Sequence, residues 1–237
     1  MNTILLTGTI DPSKFNNTGS TLANADERLN QYCTAIKKWI TNTNFQKIIF
    51  IENSGYKFDY EYFEALANEH KKQFEFILAK PYVEETIKFG KSYGEIMLMN
   101  EAVEKSKLLK DEDSFYKCTG RLFIKNCDKI LKEKHSVGNL FLGIPSDKWA
   151  FTWFFKTEKD FYINVLSDSY DKVNDNAGIY LEHIYYQKLI SHRNEFETFK
   201  QYPNVEGVSA GTNSKFHSGR LRLMYKNFRI KTGFFGI

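Results

Sequence analysis

The sequence predicts an α/β fold of the Rossmann type, in which a mostly parallel central sheet is flanked by helices. Three observations favour this class. Short apolar runs rich in β-branched residues and leucine alternate with segments of helical periodicity through the first half of the chain. Polar, glycine-containing turns follow these runs, which suits buried parallel strands. The 237 residues contain no Pro-rich or Gly/Ser-rich linker, so we expect a single core.

The predicted elements follow one another in strand–helix order. A buried strand at 3–7 ends at Gly8, and a helix at 25–40 places Leu29, Tyr32 and Ile36 on one face. The later predicted elements are strands at 47–51 and 74–79 with a helix at 58–72 between them, a helix from the 90–94 loop to about 107, a fourth strand at 114–124, a strand at 150–155, and helices at 158–170 and 177–190.

The net charge of +4 is unevenly distributed along the chain. No acidic residue follows Glu206, whereas Lys215, Arg220, Arg222, Lys226, Arg229 and Lys231 all do. We therefore divide the chain into a main domain at 1–213 and a basic amphipathic C-terminal segment at 214–237. Its mixture of cations and large apolar residues suits contact with an anionic lipid surface. A final helix that packs on the core, without contact to lipid, explains the composition of this segment equally well.

Cysteine usage and apolar run length predict the compartment. The three cysteines form no C-x-x-C pair, so neither a disulfide framework nor a zinc site is expected. The N-terminus shows no signal-peptide pattern, and no apolar run reaches roughly 18 residues. We therefore predict a cytoplasmic protein that contacts the inner face of the cytoplasmic membrane through its C-terminal segment.

Turns near the carboxyl ends of the predicted strands define a candidate ligand site, because ligands of open α/β sheets bind at this edge. Each turn alone is more often structural, but their coincidence at one edge favours a donor site. The residues are Thr7, Gly8 and Thr9 after the first strand, Glu52, Asn53 and Ser54 after the second, Lys91, Gly94 and Glu95 at the start of a helix, and Lys117, Thr119, Gly120 and Arg121 at the fourth strand.

Two glycine-containing segments are candidates for phosphate binding. Residues 90–95, Gly-Lys-Ser-Tyr-Gly-Glu, open a predicted helix whose free N–H groups and dipole favour an anion. The 207–213 loop, with Ser209 and Gly211, offers similar backbone N–H groups, and a plain connection is its alternative. Neither a P-loop nor a dinucleotide-binding glycine pattern is present, which counts against kinases and dehydrogenases.

Five segments carry a family resemblance: ILLTGTI at 4–10, IENSGY at 51–56, GKSYGE at 90–95, FYKCTGRLFIKN at 115–126 and YLEH at 180–183. Together they resemble bacterial glycosyltransferases of capsule and lipopolysaccharide assembly that have a GT-A-like fold. The resemblance spans roughly 3–212, and Lys-x-Thr-Gly-Arg at 117–121 is its most specific part. It implies a nucleotide-sugar donor as co-substrate, no other cofactor, and an oligosaccharide or lipid-linked saccharide acceptor.

One departure from the common GT-A pattern concerns the metal. Most such enzymes carry Asp-x-Asp after the fourth strand, where it holds a divalent cation against the donor diphosphate. Here Asp111-Glu-Asp113 lies before that strand, so we interpret it as a solvated turn. Because Arg121 stands at the expected position, we predict metal-independent transfer in which Arg121 and Lys117 neutralise the diphosphate. Pairing of both cations with surface carboxylates is the alternative.

Glu182 is the predicted catalytic base, and Asp175 is the second choice. On a helix at 177–190, Glu182 shares a face with apolar residues such as Ile179 and Tyr185, so burial should raise its pKa. The resemblance points to the same Leu-Glu-His segment. A purely structural carboxylate is the alternative. The aromatic run at 149–155 is predicted either to stack on an acceptor sugar or, as is commoner, to belong to the core.

Two other functions remain open from the sequence. A phospho- or nucleotidyl-transferase of surface-polysaccharide assembly would use the same donor edge, although it would more commonly need a metal. A non-catalytic nucleic-acid-binding protein would use the basic tail, but no RRM, KH or helix-turn-helix pattern is present, so we expect no nucleic-acid partner.

Overall fold

The computed structural model describes residues 2–15, 24–208 and 219–237, and its main feature is a seven-stranded sheet flanked by helices. The strands are β1 (Thr3–Gly8), β2 (Lys47–Glu52), β3 (Gln73–Leu78), β4 (Ser114–Thr119), β5 (Leu122–Ile124), β6 (Asn139–Phe141), β7 (Gly143–Ile144), β8 (Trp149–Ala150), β9 (Phe154–Glu158), β10 (Phe196–Thr198) and β11 (Val205–Gly207). The helices are α1 (Ala25–Thr41), α2 (Tyr60–Glu69), α3 (Val83–Phe89), α4 (Lys91–Lys105), α5 (Cys127–Ile130), α6 (Lys159–Phe161), α7 (Leu181–Ser191) and α8 (Arg220–Lys231). The predicted α/β class is confirmed.

The strand order of the central sheet is β10-β6-β9-β4-β1-β2-β3. Strands β1 to β4 run parallel, as do β6 and β10, whereas β9 is antiparallel to both β4 and β6. Thr7 of β1 lies opposite Ile51 of β2 and Thr119 of β4, so the carboxyl ends of these three strands reach the same edge. This shared edge brings residues that are distant in sequence to one site.

Two apolar layers cover the two faces of the sheet. Strand β1 is buried along its whole length; Ile4 and Leu6 join the cluster that includes α1, and Leu5 joins the cluster that includes α4 and α7. The end of the chain contributes to both layers, because Phe235 belongs to the first cluster and Ile237 to the second. Helix α8 lies on the surface, and none of its residues is buried.

The predicted fourth strand at 114–124 is confirmed as far as Thr119, but its continuation is wrong, because the chain turns at Gly120. The Gly120 amide donates to the Thr7 carbonyl at 2.8 Å, and a Cβ at Gly120 would lie only 2.8 Å from that same oxygen. The close approach requires glycine and ends β4 at Thr119. Residues Leu122–Ile124 then pair antiparallel with β11 in a separate sheet.

Four other predicted elements are also corrected. The run at 150–155 is divided between β8 and β9, and 90–94 is not a loop, because α4 begins at Lys91 directly after Gly90. Helix α7 begins at Leu181 instead of 177. The predicted helix at 158–170 is α6 followed by a π-helical turn (Tyr162–Leu166) and a 3₁₀ turn (Ser167–Asp171). The short elements α3, β6, β10 and β11 were not predicted.

Candidate active site

A cavity of about 390 Å³ opens at the shared carboxyl edge of β1, β2 and β4. Of the predicted site residues, the cavity wall includes Thr7, Gly8, Thr9, Asn53, Lys91, Gly94, Glu95, Lys117, Thr119, Arg121 and Glu182. The wall also includes residues that were not singled out as individual site residues: Pro12, Phe15, Arg28, Tyr32, Thr86, Ser92, Leu98, Leu122, Thr152, Trp153, Leu181 and Val208. The edge rule for α/β sheets therefore identified much of the wall.

Four predicted residues do not line the cavity: Glu52, Ser54, Gly120 and Asp175. Glu52 is fully buried, and its carboxylate accepts hydrogen bonds from the backbone amides of Ile10, Ser54 and Gly55 at 2.8–2.9 Å. Glu52 therefore stabilises the loop after β1 and does not contact a ligand in the cavity. Ser209 and Gly211 lie outside the described residues.

In the described part of the chain, Arg121 is one of three buried cations in the cavity wall, with Arg28 and Lys117. Its side chain is 3% exposed, and its Nη1 atom donates to Gln31 at 2.9 Å. The Nε atom has no hydrogen-bond partner among the described residues, and the guanidinium lies 5.9 Å from the Tyr32 ring centroid. Burial lowers the pKa of Arg121, and the Arg28 charge acts in the same direction. A buried guanidinium with an unused N–H in a cavity wall is suited to binding an anion.

Arg28 reaches the same cavity from α1. Its guanidinium donates to the carbonyls of Thr9 and Ile10 at 3.0 Å, which fixes the loop that follows β1. Sequence reasoning missed Arg28, although a signal existed. It lies four residues before Tyr32 on the buried face of an amphipathic helix, where a basic residue needs polar partners.

A polar network connects the two carboxylates of the cavity wall. Lys117, which is 1% exposed, pairs with Glu95 at 2.5 Å and donates to the Thr152 carbonyl at 2.7 Å. Glu95 also accepts from Thr7 Oγ at 2.7 Å, and the Thr152 hydroxyl donates to Glu182 at 2.9 Å. A weaker contact of 3.4 Å joins Lys117 to Thr119. The ammonium group of Lys117 thus has three partners within the protein, so Arg121 is the better placed of the two cations for an anionic ligand.

Glu182 lies in the first turn of α7 and lines the cavity. Burial raises the pKa of Glu182, while its own backbone amide, the Thr152 hydroxyl and the charge of Lys91 oppose the shift. The predicted direction is confirmed, but the predicted apolar stripe is not its source, since Ile179 is 41% exposed and precedes the helix. A carboxylate with a raised pKa is a stronger base than an ordinary one, so Glu182 is suited to accepting a proton.

Asp175 has a structural position at the start of α4. Its carboxylate accepts from the Ser92 amide at 3.0 Å and packs against Gly90, where a Cβ would lie 2.4 Å from the Asp175 Cβ. Gly90 adopts a φ of 98°, which disfavours any other residue. Asp175 therefore satisfies a free N–H group at the helix N-terminus, which is the place that the sequence had assigned to an anionic ligand.

The cavity wall does not suit a divalent metal of the Asp-x-Asp type. Its carboxylates, Glu95 and Glu182, are engaged by Lys117 and Thr152, respectively. Within residues 2–15, 24–208 and 219–237, no group of three or more His, Cys, Asp or Glu side chains could hold a metal ion. Asp111 and Asp113 are exposed before β4, at its amino end.

Comparison with known proteins identifies the fold. No family model matches the chain, and no curated protein sequence matches it. Among solved structures, the apo form of the glycosyltransferase GlyE of Streptococcus pneumoniae TIGR4 aligns with 83% of this chain and 44% of its own length, at 11% identity and a TM-score of 0.50. A Desulfovibrio desulfuricans G20 protein assigned as a nucleotide-diphospho-sugar transferase aligns over 84% and 80%, at 12% identity and a TM-score of 0.50. The chain has a GT-A-like fold.

The GT-A-like fold makes the strand edge the place to look for chemistry, and the cavity lies there. At identities of 11% and 12% the likeness establishes the fold alone. The chain spans less than half the length of GlyE. Function must therefore be argued from the side chains of the cavity.

Proposed function

We propose that this protein is a glycosyltransferase that moves a sugar from a nucleotide-sugar donor to a saccharide acceptor. The observation that supports it best is that Arg121 and Glu182 both lie in the wall of one cavity. Arg121 offers an anion a guanidinium whose Nε has no partner among the described residues, and Glu182 offers a carboxylate whose pKa burial raises. A transferase of this class needs both groups, one for the departing diphosphate and one for the proton of the acceptor.

The reaction follows from these two positions. An acceptor hydroxyl oxygen attacks the anomeric carbon, and the bond from that carbon to the diphosphate oxygen breaks. The hydroxyl proton passes to Glu182, and the electron pair leaves with the nucleoside diphosphate, whose charge Arg121 stabilises. Because the transition state resembles an oxocarbenium ion, stabilising the departing anion lowers the barrier directly.

Transfer without a metal belongs to the same proposal. The fold family commonly uses a cation held by Asp-x-Asp, but Thr119-Gly120-Arg121 follows β4 here, and the cavity carboxylates already have partners. Arg121 supplies positive charge at the strand end where those enzymes hold the metal. The guanidinium is permanently protonated and can form two parallel bonds to phosphate oxygens.

A donor screen tests the proposal. We expect one class among UDP-, GDP- and CMP-sugars to raise the melting temperature in the presence of EDTA, whereas single-stranded DNA does not. Failure of every nucleotide-sugar to stabilise the protein would refute the transferase. Stabilisation and turnover that require added manganese or magnesium would refute only the metal-free step.

The finer proposal places the acceptor in capsule or lipopolysaccharide assembly, on a lipid carrier at the inner face of the cytoplasmic membrane. The family resemblance supports the pathway, and α8 supports the membrane contact. No helix among the described residues is both long and apolar enough to span a bilayer. Contact would therefore have to be peripheral if it is made by these residues.

Helix α8 presents an outward apolar stripe. Leu221, Met224, Tyr225 and Phe228 follow one another at helical spacing and are 83%, 60%, 59% and 63% exposed. The opposite face holds the helix to the body, since the Asn227 side chain accepts from the Tyr202 amide at 2.7 Å and Lys226 lies 4.1 Å from the Tyr202 ring centroid.

Exposed cations accompany this stripe at both ends of α8. Arg220 and Arg222 lie in its first turn, and Lys231 is its last residue. A surface of this composition binds anionic lipid by inserting its apolar side chains between basic ones that contact the headgroups. We therefore propose that the apolar stripe of α8 binds the surface of an anionic bilayer.

Vesicle sedimentation tests the membrane contact. A Leu221→Ser/Met224→Ser/Phe228→Ser variant is expected to lose binding to vesicles of phosphatidylcholine and phosphatidylglycerol in equal parts. A Leu78→Ser/Ile190→Ser variant alters two other exposed apolar residues, 57% and 46% exposed, and should bind as the parent does. Equal sedimentation of parent and stripe variant would remove the membrane proposal. Substitution is preferable to truncation, because Phe235 and Ile237 are buried.

A further inference from the structure

Three aromatic rings form a cluster at the start of α7. Trp149 of β8 meets His183 of α7 edge to face, with centroids 4.9 Å apart and planes at 90°. Tyr180, the residue before α7, lies 6.0 Å from Trp149 and 5.7 Å from His183. We call these three residues the aromatic cluster. Tyr180 is 36% exposed, and the other two rings are half-buried.

The aromatic cluster includes the chain neighbours of two cavity residues, Leu181 and Glu182. Leu181 and Glu182 line the cavity and stand between Tyr180 and His183 in the chain. On the other side, Thr152 follows Trp149 by three residues and donates to Glu182 at 2.9 Å. Helix α7 and β8 pack together, so the rings and the carboxylate share one rigid support.

The structure also separates this cluster from the rest of the aromatic run at 149–155. Phe154 and Phe155 are 1% and 0% exposed and belong to the core. Trp153 is half-buried and lines the cavity, while Trp149 joins the cluster outside it. Core packing therefore accounts for Phe154 and Phe155, but it does not account for the half-buried ring of Trp149.

We propose that Trp149, Tyr180 and His183 bind the acceptor saccharide next to Glu182. This inference rests on the proposed function, because it assumes that Glu182 receives the proton of the acceptor hydroxyl. Such a base must be within hydrogen-bond reach of that hydroxyl, which places the acceptor ring at the Glu182 end of the cavity. A sugar ring has an apolar face of C–H groups and a polar rim. Aromatic rings with polar edges contact both.

Saturation-transfer NMR tests this site with methyl β-galactoside and methyl β-glucoside as probes. Irradiation of the aromatic protons should transfer magnetisation to the C–H protons of at least one glycoside. Tyr180→Ala and Trp149→Ala should each weaken binding by about fivefold, since one stacking contact is lost. Tyr180→Phe keeps the ring and should retain binding.

Tyr62→Ala is the matched control, because Tyr62 is 46% exposed and lies on α2, which carries no residue of the aromatic cluster. Unchanged glycoside binding in Tyr180→Ala and Trp149→Ala, or no transfer to either glycoside in the parent protein, would overturn the acceptor site. The measurement does not use the donor. If nucleotide-sugars fail to bind while the glycosides bind through these rings, the proposed function fails and the saccharide site stands.

Discussion

At the scale of single residues, the cavity is defined by buried ionisable groups with different degrees of internal pairing. Lys117 is fully engaged by Glu95, Thr152 and Thr119, whereas the Nε of Arg121 has no hydrogen-bond partner in the part of the chain that the structure describes. Burying a charge costs free energy unless partners replace water. A buried cation with an unsatisfied donor is therefore where a bound anion gains most. This contrast assigns the anion to Arg121 and a supporting position to Lys117.

Replacing Arg121 should reduce transfer without unfolding the protein. Arg121→Ala is expected to lower kcat/KM by a factor of roughly ten or more, because stabilisation of the departing diphosphate is lost. Arg121→Lys retains a charge but not the planar fork, so its loss should be intermediate. Arg193→Ala removes an exposed arginine after α7 and serves as the control. Parent-like kcat/KM in Arg121→Ala, with the fold intact by circular dichroism, would contradict the assignment.

Glu182→Gln should separate activity from stability. The variant keeps the shape and an acceptor for the Thr152 hydroxyl but cannot take the proton, so transfer should be abolished while donor binding persists. Burial raises the pKa of Glu182 in the folded state, so the folded protein binds the proton more tightly than the unfolded chain does. This contribution to stability is present below the unfolded pKa and is lost as pH rises through the folded value.

The same substitution should therefore raise the melting temperature at pH 7.5 and have less effect at pH 4. In the parent enzyme, turnover should fall on the acidic side as Glu182 becomes protonated. Scanning calorimetry and a pH–rate profile measure the two effects. Near-normal turnover of Glu182→Gln would exclude Glu182 as the base.

At the scale of elements, a short strand forms few backbone hydrogen bonds with its neighbour. Side-chain contacts therefore contribute much of what holds it in the sheet. Strand β10 has three residues and pairs only with β6 in the sheet. Its Glu197 accepts from the Ser136 amide at 2.9 Å and contacts His135 Nδ1 at 2.7 Å, which joins β10 to the loop after α5. Hydrogen bonds from Ser136 and His135 lower the pKa of Glu197 to about 2.

Glu197→Gln should make the melting temperature less dependent on pH in the acidic range. Because the folded pKa of Glu197 is depressed, its contribution is present above the unfolded value of 4.5 and is lost as pH falls toward about 2. The loss of melting temperature between pH 6 and pH 3 should be smaller in this variant than in the parent. Glu195→Gln alters an exposed neighbour and should follow the parent. Identical acid profiles for Glu197→Gln and the parent would rule out this anchor.

At the scale of the whole molecule, the C-terminal residues belong to the common core. Phe235 is 4% exposed and lies 5.2 Å from the Tyr202 ring and 6.0 Å from the Phe151 ring. Its carbonyl also accepts from the Gly143 amide at 3.2 Å. The segment after α8 thus holds the helix against the body, and the basic segment predicted from the sequence has a buried end.

Phe235→Ala should destabilise the entire fold. Removing a buried phenylalanine ring typically costs about 3–5 kcal/mol, and unfolding should remain a single transition because the residue packs into the main core. Phe234→Ala is the matched control, since Phe234 is 49% exposed and should cost much less. Urea unfolding followed by tryptophan fluorescence measures both. A main transition unaffected by Phe235→Ala would show that the C-terminal segment is energetically separate.

Sequence patterns determined those features that local chemistry decides. Apolar runs and helical periodicity predicted β1, β2, β3, α1 and α2 to within a few residues, because each buries its apolar side chains against the sheet. The rule that ligands bind at the carboxyl ends of parallel strands then identified Thr7, Asn53 and Arg121 as cavity residues. Burial of Glu182 was also predicted, although from a helix that begins four residues later than expected.

Only the tertiary structure decided which groups face the ligand and which satisfy the protein itself. Glu52 and Asp175 resemble site carboxylates in the sequence, yet both accept backbone hydrogen bonds that the fold would otherwise leave unsatisfied. The only signal for Arg28 was its position on the buried face of α1, and Thr152 gave none, since it reaches the cavity through the turn between β8 and β9. Periodicity reports which side chains are buried, whereas hydrogen-bond partners depend on atoms that are far apart in the chain.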